Sequence, residues 1–297
     1  QPGAIIVAGQ FVEIGEIFEP LLGLLALGDD PQFLYPDTVD ARQQILADYK
    51  TLLVDINTRL EPAFNIRPKA EMDVKRVPEF SEKTAPGAYY NAPAMDGSRP
   101  GVFYANLYDV RATPKFGMKT LAVHEGIPGH HMQIAIAQEL ENVPKFRKFG
   151  GYTAYVEGWG LYSEYIPKEL GFYKNPYSDF GRLSMELWRA CRLVVDVGIH
   201  WKRWTREEGI QFYADNTPSP MGECVAMVER HIVMPGQATA YKIGQLKILE
   251  LLNKSRAELG ESFDIKAFHD EVLRHGSLPL NILEENINKW IALRKEA

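Results

Sequence analysis

The feature that most constrains the fold is a set of long segments with helical apolar spacing. Between residues 176 and 210, apolar side chains recur at three- and four-residue steps, and residues 40–60 repeat the pattern before Pro62. The stripe of the first segment consists of Phe180, Leu183, Leu187, Cys191, Val194, Val197 and Trp201. Strand residues alternate every second position, so both segments are predicted to be amphipathic helices.

Most of the remaining chain also has a helical pattern. Further helices are predicted at 116–140, 152–170, 219–232, 236–259, 264–275 and 280–295. Residues 77–114 differ, because Pro, Gly, Asn and aromatic residues alternate there, and 101–108 is the best strand candidate. We therefore predict one mainly α domain over residues 1–297 with a small β-sheet. It comprises a helical scaffold (about 1–76), a loop with an edge strand (about 77–115) and further helices (about 116–297).

Composition excludes several functional classes. A hydrophobic content of 45% with 24% charged residues is typical of a globular protein, and no apolar run reaches the roughly 18 residues of a membrane span. The net charge of −6, without a Lys/Arg cluster, argues against a nucleic-acid partner. Cys191 and Cys224 lack metal-type spacing and are predicted to be buried thiols.

The segment VHEGIPGHHMQ, residues 123–133, contains a modified metal-binding motif. In HExxH, two histidines four residues apart on one helix face bind zinc, and the adjacent Glu is the general base. Here the fourth position after His124 is Pro128, and the next histidines are His130 and His131. The strict motif is therefore absent, although Glu125 is in place as a base.

Pro128 and Gly129 offer a way to correct the spacing. Neither His130 nor His131 can share a metal with His124 on a straight helix. Proline removes a backbone donor and glycine permits unusual dihedral angles, so a bulge or kink is expected between the ligands. A two-residue bulge places His130 at the ligand position and a three-residue bulge places His131, and helix geometry leaves both open.

The third ligand is expected from GYTAYVEGWGLYSEYI, residues 151–166. Glu157 lies far enough along the chain for a second helix to return to the site. The flanking Gly158 and Gly160 permit close helix contact, and Glu164, two turns beyond Glu157, can orient a ligand histidine. The predicted centre holds Zn²⁺ on two histidines and Glu157, with a fourth position for water.

Four ordered motifs, HEGIPGHHMQ, YVEGWGLYSEY, WRACRLVVDVGIH and MPGQATAYKIGQLKILEL, resemble the bacterial domain of unknown function 885 family. The similarity runs from about residue 78 to the C-terminus and is weaker before it. The resemblance implies a long-helix, cleft-forming, gluzincin-like metallopeptidase fold, similar in plan to thimet oligopeptidase and angiotensin-converting enzyme. It also implies His124, His130 and Glu157 as zinc ligands, which favours His130 over His131, and Glu125 as the base.

The resemblance carries two further expectations. Family members are typically longer, so this chain is expected to be a C-terminal catalytic half on which an N-terminal half packs. Many relatives are exported or are lipoproteins, which implies a periplasmic or extracytoplasmic location, with a cytoplasmic one left open.

Residues after the zinc motif are candidates for the remaining catalytic roles. A Tyr or His donor commonly stabilises the oxyanion of peptide hydrolysis, and Tyr241, in a segment that resembles one in the oligopeptidases, and His231 are the candidates. Arg230 or Lys242 is a candidate for holding a substrate carboxylate.

Other polar residues are assigned from their place in the chain. The strand at 101–108 precedes the zinc helix, and its Tyr104 and Asn106 are candidate substrate contacts because an extended peptide can pair with a strand edge. The row Arg192, Asp196 and His200, spaced by four residues beside the apolar stripe, is predicted either to bond internally or to line the cleft. His269 and His275 are predicted to lie on the surface.

The sequence thus predicts zinc-dependent hydrolysis of peptide bonds in short peptides, by an oligopeptidase, dipeptidase or carboxypeptidase. Two alternatives stay open. Two histidines and a carboxylate also suit a non-haem Fe(II) enzyme that activates oxygen. A non-catalytic binding protein that retains the fold is the other alternative.

Overall fold

Helices dominate the part of the chain that the computed structural model describes, which comprises residues 4–7, 10–13, 28 and 30–296. The helices are α1 (Val39–Arg59), α2 (Lys115–Glu125), α3 (His130–Glu139), α4 (Lys145–Phe149), α5 (Thr153–Glu169), α6 (Pro176–His200), α7 (Arg206–Asn216), α8 (Met221–Val233), α9 (Gln237–Leu259), α10 (Ile265–Leu273) and α11 (Leu280–Glu296). The prediction of a mainly α fold is confirmed. None of the described helices has the length and apolarity to cross a bilayer.

Capping residues set several helix limits. Thr38 caps α1 by accepting a hydrogen bond from the Ala41 amide, and Asn175 caps α6 with Pro176 at its first position. Residues 176–210 form two helices rather than one. Thr205 and Glu208 form a capping box that starts α7, so α6 ends earlier than its apolar pattern suggests.

The strands form two small sheets. The pair β1 (Ala4–Val7) and β2 (Gln10–Glu13) is antiparallel, and β3 (Met72–Arg76), β4 (Ala88–Asn91) and β5 (Gly101–Ala105) form a second sheet. In the second sheet β5 lies in the middle, parallel to β3 and antiparallel to β4. The prediction that this strand is an edge is therefore wrong, and β3 and β4 are the edges among the described strands.

Strand β5 also ends earlier than predicted, because Asn106 turns the chain. Its side-chain Nδ2 donates to carbonyl oxygens of the preceding loop, and its side-chain Oδ1 accepts from the Tyr108 backbone amide. Asn106 therefore stabilises a loop and is occupied by backbone contacts.

The main core is built around the crossing of α5 and α9. A Cβ atom on Gly244 would collide with the Ala154 carbonyl oxygen, and one on Gly158 would collide with the Gly244 backbone. The two helices are thus in backbone contact, as the glycines of the α5 segment predicted. Around the crossing lie the buried side chains of Tyr155, Trp159 and Tyr162.

His269 is buried in this core, so the prediction of a surface position is wrong. Its Nδ1–H donates to the Ala63 carbonyl oxygen at 2.8 Å, and its Nε2 accepts from the Tyr162 hydroxyl at 2.8 Å. Both ring nitrogens are satisfied, which allows a neutral histidine in the core. His275 is partly exposed and lies 3.1 Å from Glu271.

A smaller core lies between α6, α7 and α8. It contains both free cysteines, Cys191 and Cys224, as predicted, and its other buried members are Leu187, Val195, Ile210, Tyr213 and Val228. This core holds the C-terminal part of α6 against the segment that leads into α9.

The helix crossing predicts the effect of a single methyl group. Gly244→Ala should lower the free energy of unfolding by about 1–3 kcal/mol, because the backbones must separate to admit the Cβ atom. Gly222→Ala is the control, since Gly222 is in helix α8 with no atom near its Cβ position, and it should raise stability by about 0.5–1 kcal/mol. Urea denaturation of both variants measures the difference, and equal stabilities would contradict the close crossing.

Candidate metal centre

The modified motif lies on two helices joined by a short break. Helix α2 ends at Glu125 and α3 begins at His130, so the predicted helix over 116–140 is interrupted at 126–129. A Cβ atom on Gly129 would collide with the His124 carbonyl oxygen, which makes glycine necessary there. The Trp159 indole donates to the Pro128 carbonyl oxygen at 2.8 Å and fixes the break against α5.

The break brings His130, rather than His131, to His124. The rings of His124 and His130 lie 4.7 Å apart at 85°. His131 points away, with Nε2 3.1 Å from the Ala70 carbonyl oxygen and Nδ1 2.8 Å from the Tyr90 hydroxyl. Burial lowers the pKa of His131 to about 4, so the ring is neutral in this structural role.

Glu157 completes a group that could hold one metal ion. Ligand atoms of His124, His130 and Glu157 all lie within 4.8 Å of one another. This is the one such group of His, Cys, Asp or Glu side chains found in the described residues. A Cβ atom on Gly160 would press on both imidazole rings, so this glycine lets the rings lie against the backbone of α5. Two nitrogens and one oxygen match the donor sets of zinc sites that keep an open position.

Glu164 orients His124. The Nδ1–H of His124 donates to Glu164 Oε1 at 2.7 Å, which leaves Nε2 as the free donor atom of a neutral ring. Burial lowers the pKa of His124 well below its usual value, helped by nearby positive groups. Burial also raises the pKa of Glu164 to about 7. The tautomer of His124 is therefore the one that a metal on Nε2 requires.

The pair of His130 and Glu157 is charged. Burial acts to raise the pKa of Glu157, but His130 and His124 outweigh it and lower the value to about 2. Burial acts in the opposite direction on His130, and there the Glu157 carboxylate outweighs it and raises the pKa. Their nearest atoms, His130 Nε2 and Glu157 Oε2, are 3.3 Å apart. A metal on this pair would displace the imidazole proton, as ligand deprotonation requires.

Gln133 holds the other edge of the His130 ring. Its amide nitrogen lies 3.0 Å from His130 Nδ1 and donates to the Val156 carbonyl oxygen at 2.8 Å. The charged ring carries a proton on Nδ1 as well as on Nε2, so the amide oxygen of Gln133 must turn toward Nδ1 to accept it. A metal on Nε2 requires the proton on Nδ1, with the amide oxygen turned toward it.

Glu125 is a buried carboxyl group without a full set of partners. It directly follows the candidate ligand His124 in the chain, it is 6% exposed, and its Oε2 has no hydrogen-bond partner in the part of the chain that the structure describes. Burial raises the pKa of Glu125 to about 7. A carboxyl group with such a pKa beside a metal-binding group can both accept and donate a proton near neutral pH.

Tyr241 of α9 lies against the ligand group. Its ring is 6.2 Å from that of His124 and nearly parallel to it at 20°. Gln237 donates to the Tyr241 hydroxyl and to Glu157 Oε1, both at 3.2 Å, and so links the two residues. Burial raises the pKa of Tyr241, which keeps the phenol protonated. Sequence reasoning missed Gln237, although it is one helical turn before Tyr241.

Two arginines of α6 lie against the Tyr241 ring. The guanidinium carbon of Arg192 is 4.6 Å from the centre of the Tyr241 ring, and that of Arg189 is 5.8 Å from it. Arg189 Nη2 is also 3.8 Å from Glu164 Oε1. Arg189 was not predicted, although its spacing of three residues from Arg192 places both on one helix face.

The rest of the predicted polar row has other partners. Asp196 accepts hydrogen bonds from the Gly236 amide at 3.1 and 3.2 Å, and His200 Nε2 donates to the His231 carbonyl oxygen at 2.8 Å. Asp196 and His200 therefore hold the connection between α8 and α9 and do not bond to each other. His231 Nε2 accepts from the Tyr213 hydroxyl at 2.8 Å, and burial lowers the pKa of His231 to about 3. His231 therefore lies at the smaller core, where its Nε2 is already hydrogen-bonded to Tyr213.

The residues predicted to contact a substrate differ in whether they already have a partner in the structure. Lys242 is 1% exposed and its Nζ lies 2.7 Å from Glu186 Oε1, so it is not a free cation for a substrate. Arg230 is half-buried on α8 and forms no ion pair with the described residues. Tyr104 stacks on a tyrosine of β4, with ring centres 5.0 Å apart.

Several solved structures resemble this chain, including these two. One, a presumed lipoprotein from Colwellia psychrerythraea, has 42% sequence identity and a TM-score of 0.91, over 94% of this chain and 50% of that chain. The other, a presumed lipoprotein of unknown function from Shewanella oneidensis, has 22% identity and a TM-score of 0.69, over 96% of this chain and 57% of its own. The second likeness concerns the fold alone. This chain therefore spans about half the length of the Colwellia protein.

The family comparison covers nearly the whole chain. No curated protein matches this sequence. Residues 9–287 match the family described as bacterial protein of unknown function, DUF885. This chain belongs to the DUF885 family.

Proposed function

We propose that this chain is the catalytic part of a zinc-dependent peptidase that hydrolyses peptide bonds in short peptides. The observation that supports this most is the group of His124, His130 and Glu157, whose ligand atoms lie within 4.8 Å of one another. Glu125 supports it further, because a buried carboxyl group with an unpartnered oxygen next to such a group is suited to proton transfer.

The donor set fits zinc. The two imidazoles and the carboxylate would hold the ion, and Glu164 already holds His124 in the required tautomer. A zinc ion bound there would supply Lewis-acid polarisation of the scissile carbonyl group. A mainly helical, gluzincin-like arrangement is part of this proposal.

The chain's own residues perform the proton transfers. Glu125 removes a proton from the attacking water and delivers it to the leaving amine. Tyr241 keeps its phenolic proton, so its hydroxyl is able to donate a hydrogen bond to the oxyanion that forms on the carbonyl oxygen. Gln237 positions that hydroxyl beside Glu157.

The enclosure of the site favours short, extended substrates. The side chains of His130 and Glu157 are 11% and 16% exposed. Such restricted access suits a flexible peptide better than a folded protein. In this proposal an N-terminal half would pack on this chain and narrow the access to the site.

The Colwellia relative also favours an extracytoplasmic location. It is described as a presumed lipoprotein and shares 42% identity with this chain. A peptidase in that location would act on peptides outside the cytoplasm.

Metal content tests the ligand assignment. The wild-type protein should bind about one zinc ion, whereas His130→Ala and Glu157→Ala should each lower zinc affinity by more than about 100-fold. Loss of a residue that hydrogen-bonds to a metal ligand lowers affinity by about 10–100-fold, and loss of the ligand itself should lower it further. His131→Ala is the matched control and should retain zinc, since His131 contacts Tyr90 and Ala70 instead. Elemental analysis and a competing chelator measure both quantities.

The same measurement separates the alternatives. Zinc loss in His131→Ala with retention in His130→Ala would contradict the assignment. Iron at full occupancy would favour oxygen activation, in which Glu125 has no evident part. No transition metal, even after zinc supplementation, would contradict a metal centre in this chain.

Glu125→Gln separates catalysis from metal binding. This variant should keep its zinc and lose about 10²–10⁴-fold in kcat, because the amide cannot transfer the proton. Glu164→Gln is the comparison, since it should lower zinc affinity by about 10–100-fold and recover activity at saturating zinc. Peptide hydrolysis and zinc content of both variants are measured together, and full activity in Glu125→Gln would exclude Glu125 as the base.

A further inference from the structure

The inner face of α6 carries two buried guanidinium groups that binding of the metal does not explain. Arg189 and Arg192 are 7% and 8% exposed, and Nε of each has no hydrogen-bond partner among the described residues. The polar contacts of Arg189 with the described residues are long, 3.4 Å to the Met185 carbonyl oxygen and 3.8 Å to Glu164. Arg192 hydrogen-bonds to Tyr241 and lies against its ring, but forms no ion pair with any described residue.

The same helix pairs another buried arginine fully. Arg182 forms ion pairs with Asp179 at 2.9 Å and with Glu186 at 3.2 Å. Arginine keeps its charge in proteins, and a buried charge without a partner is strongly unfavourable. In contrast to Arg182, Arg192 has no anionic partner among the described residues. This contrast indicates that a ligand supplies the anion.

The two arginines are close to the candidate metal centre. The Tyr241 ring lies 6.2 Å from the His124 ring and 4.6 Å from the Arg192 guanidinium carbon. An extended peptide advances about 3.5 Å per residue, so an anion on Arg192 would lie within about three residues of a carbonyl group at the metal. Arg192 and His130 are also equally exposed, at 8%.

We propose that Arg192, with Arg189 beside it, binds the free carboxylate of the C-terminal residue of the substrate. The proposal rests on the proposed peptidase function and narrows it to removal of short C-terminal fragments or cleavage of very short peptides. A guanidinium fork matches a carboxylate in shape and charge, and every short peptide with an unmodified end carries one. Lys242, the other buried cation considered for this role, is already paired with Glu186.

Binding to the metal-free protein tests this site directly. The full chain, treated with chelator, is titrated by calorimetry with N-acetyl-trialanine and with its C-terminal amide. The free acid should bind roughly 10- to 100-fold more tightly, as expected for hydrogen bonds to charged groups. Arg192→Gln should remove this difference by weakening binding of the acid alone.

Two controls make the result specific. Lys202→Gln removes one positive charge from the exposed turn that follows the same helix and should leave the preference for the acid unchanged. If Arg192→Gln does not fold, the comparison of acid and amide on the wild-type protein still decides, because it requires no variant. Equal affinity for the two peptides would overturn the inference.

A third peptide identifies the source of the carboxylate. N-acetyl-Ala-Ala-Asp-amide carries its carboxylate on a side chain, and tighter binding of this peptide than of the free acid would overturn recognition of the C-terminus. Zinc-loaded protein is then assayed with the same peptides. A preference for the acid without hydrolysis of any peptide would contradict the peptidase proposal and still support the anion site. Equal hydrolysis of the acid and the amide would support the peptidase proposal and overturn recognition of the C-terminus.

Discussion

The backbone contact between α5 and α9 is the interaction on which the candidate site depends. Gly158 and Gly244 meet at the crossing, Glu157 is adjacent to the first, and Tyr241 is three residues before the second. Gln237 can join Tyr241 and Glu157 only because the helices approach so closely. The two glycines therefore set the distance between the candidate ligand Glu157 and the Tyr241 hydroxyl group, and a larger side chain at either position would move both.

A second constraint is the break between α2 and α3. On an uninterrupted helix His130 would point away from His124, and the four residues 126–129 restore the match. Trp159 of α5 holds the break through the Pro128 carbonyl oxygen, so the helix that supplies Glu157 also fixes the spacing of the two histidines. The ligand group is for this reason a property of three helices together rather than of one motif.

Residue patterns predicted most of the helices and brought His124 and Glu157 into one group, but they did not predict the detail around that group. The Pro-Gly insertion indicated a break, yet the choice between His130 and His131 depends on partners of His131 that are distant in the sequence, Tyr90 and Ala70. The central position of β5 is likewise set by long-range pairing with β3 and β4, which apolar alternation does not encode. His269 was misplaced because a polar helix pattern does not show that Tyr162 and a backbone carbonyl group satisfy its ring.

Acidic and basic side chains meet around Tyr241. Its ring lies 6.2 Å from that of His124 and 4.6 Å from the Arg192 guanidinium carbon, and Gln237 joins its hydroxyl to Glu157. Arg189 contacts both groups, because its guanidinium carbon is 5.8 Å from the Tyr241 ring and its Nη2 is 3.8 Å from Glu164 Oε1. In the proposed function, a C-terminal carboxylate would lie against the arginines, because opposite charges attract, while the scissile carbonyl group would lie at the candidate metal centre. Asp196 and His200 hold the connection that leads into α9, and with it the position of Tyr241. Helix α6 therefore carries both the arginines and the residues that hold Tyr241 against them.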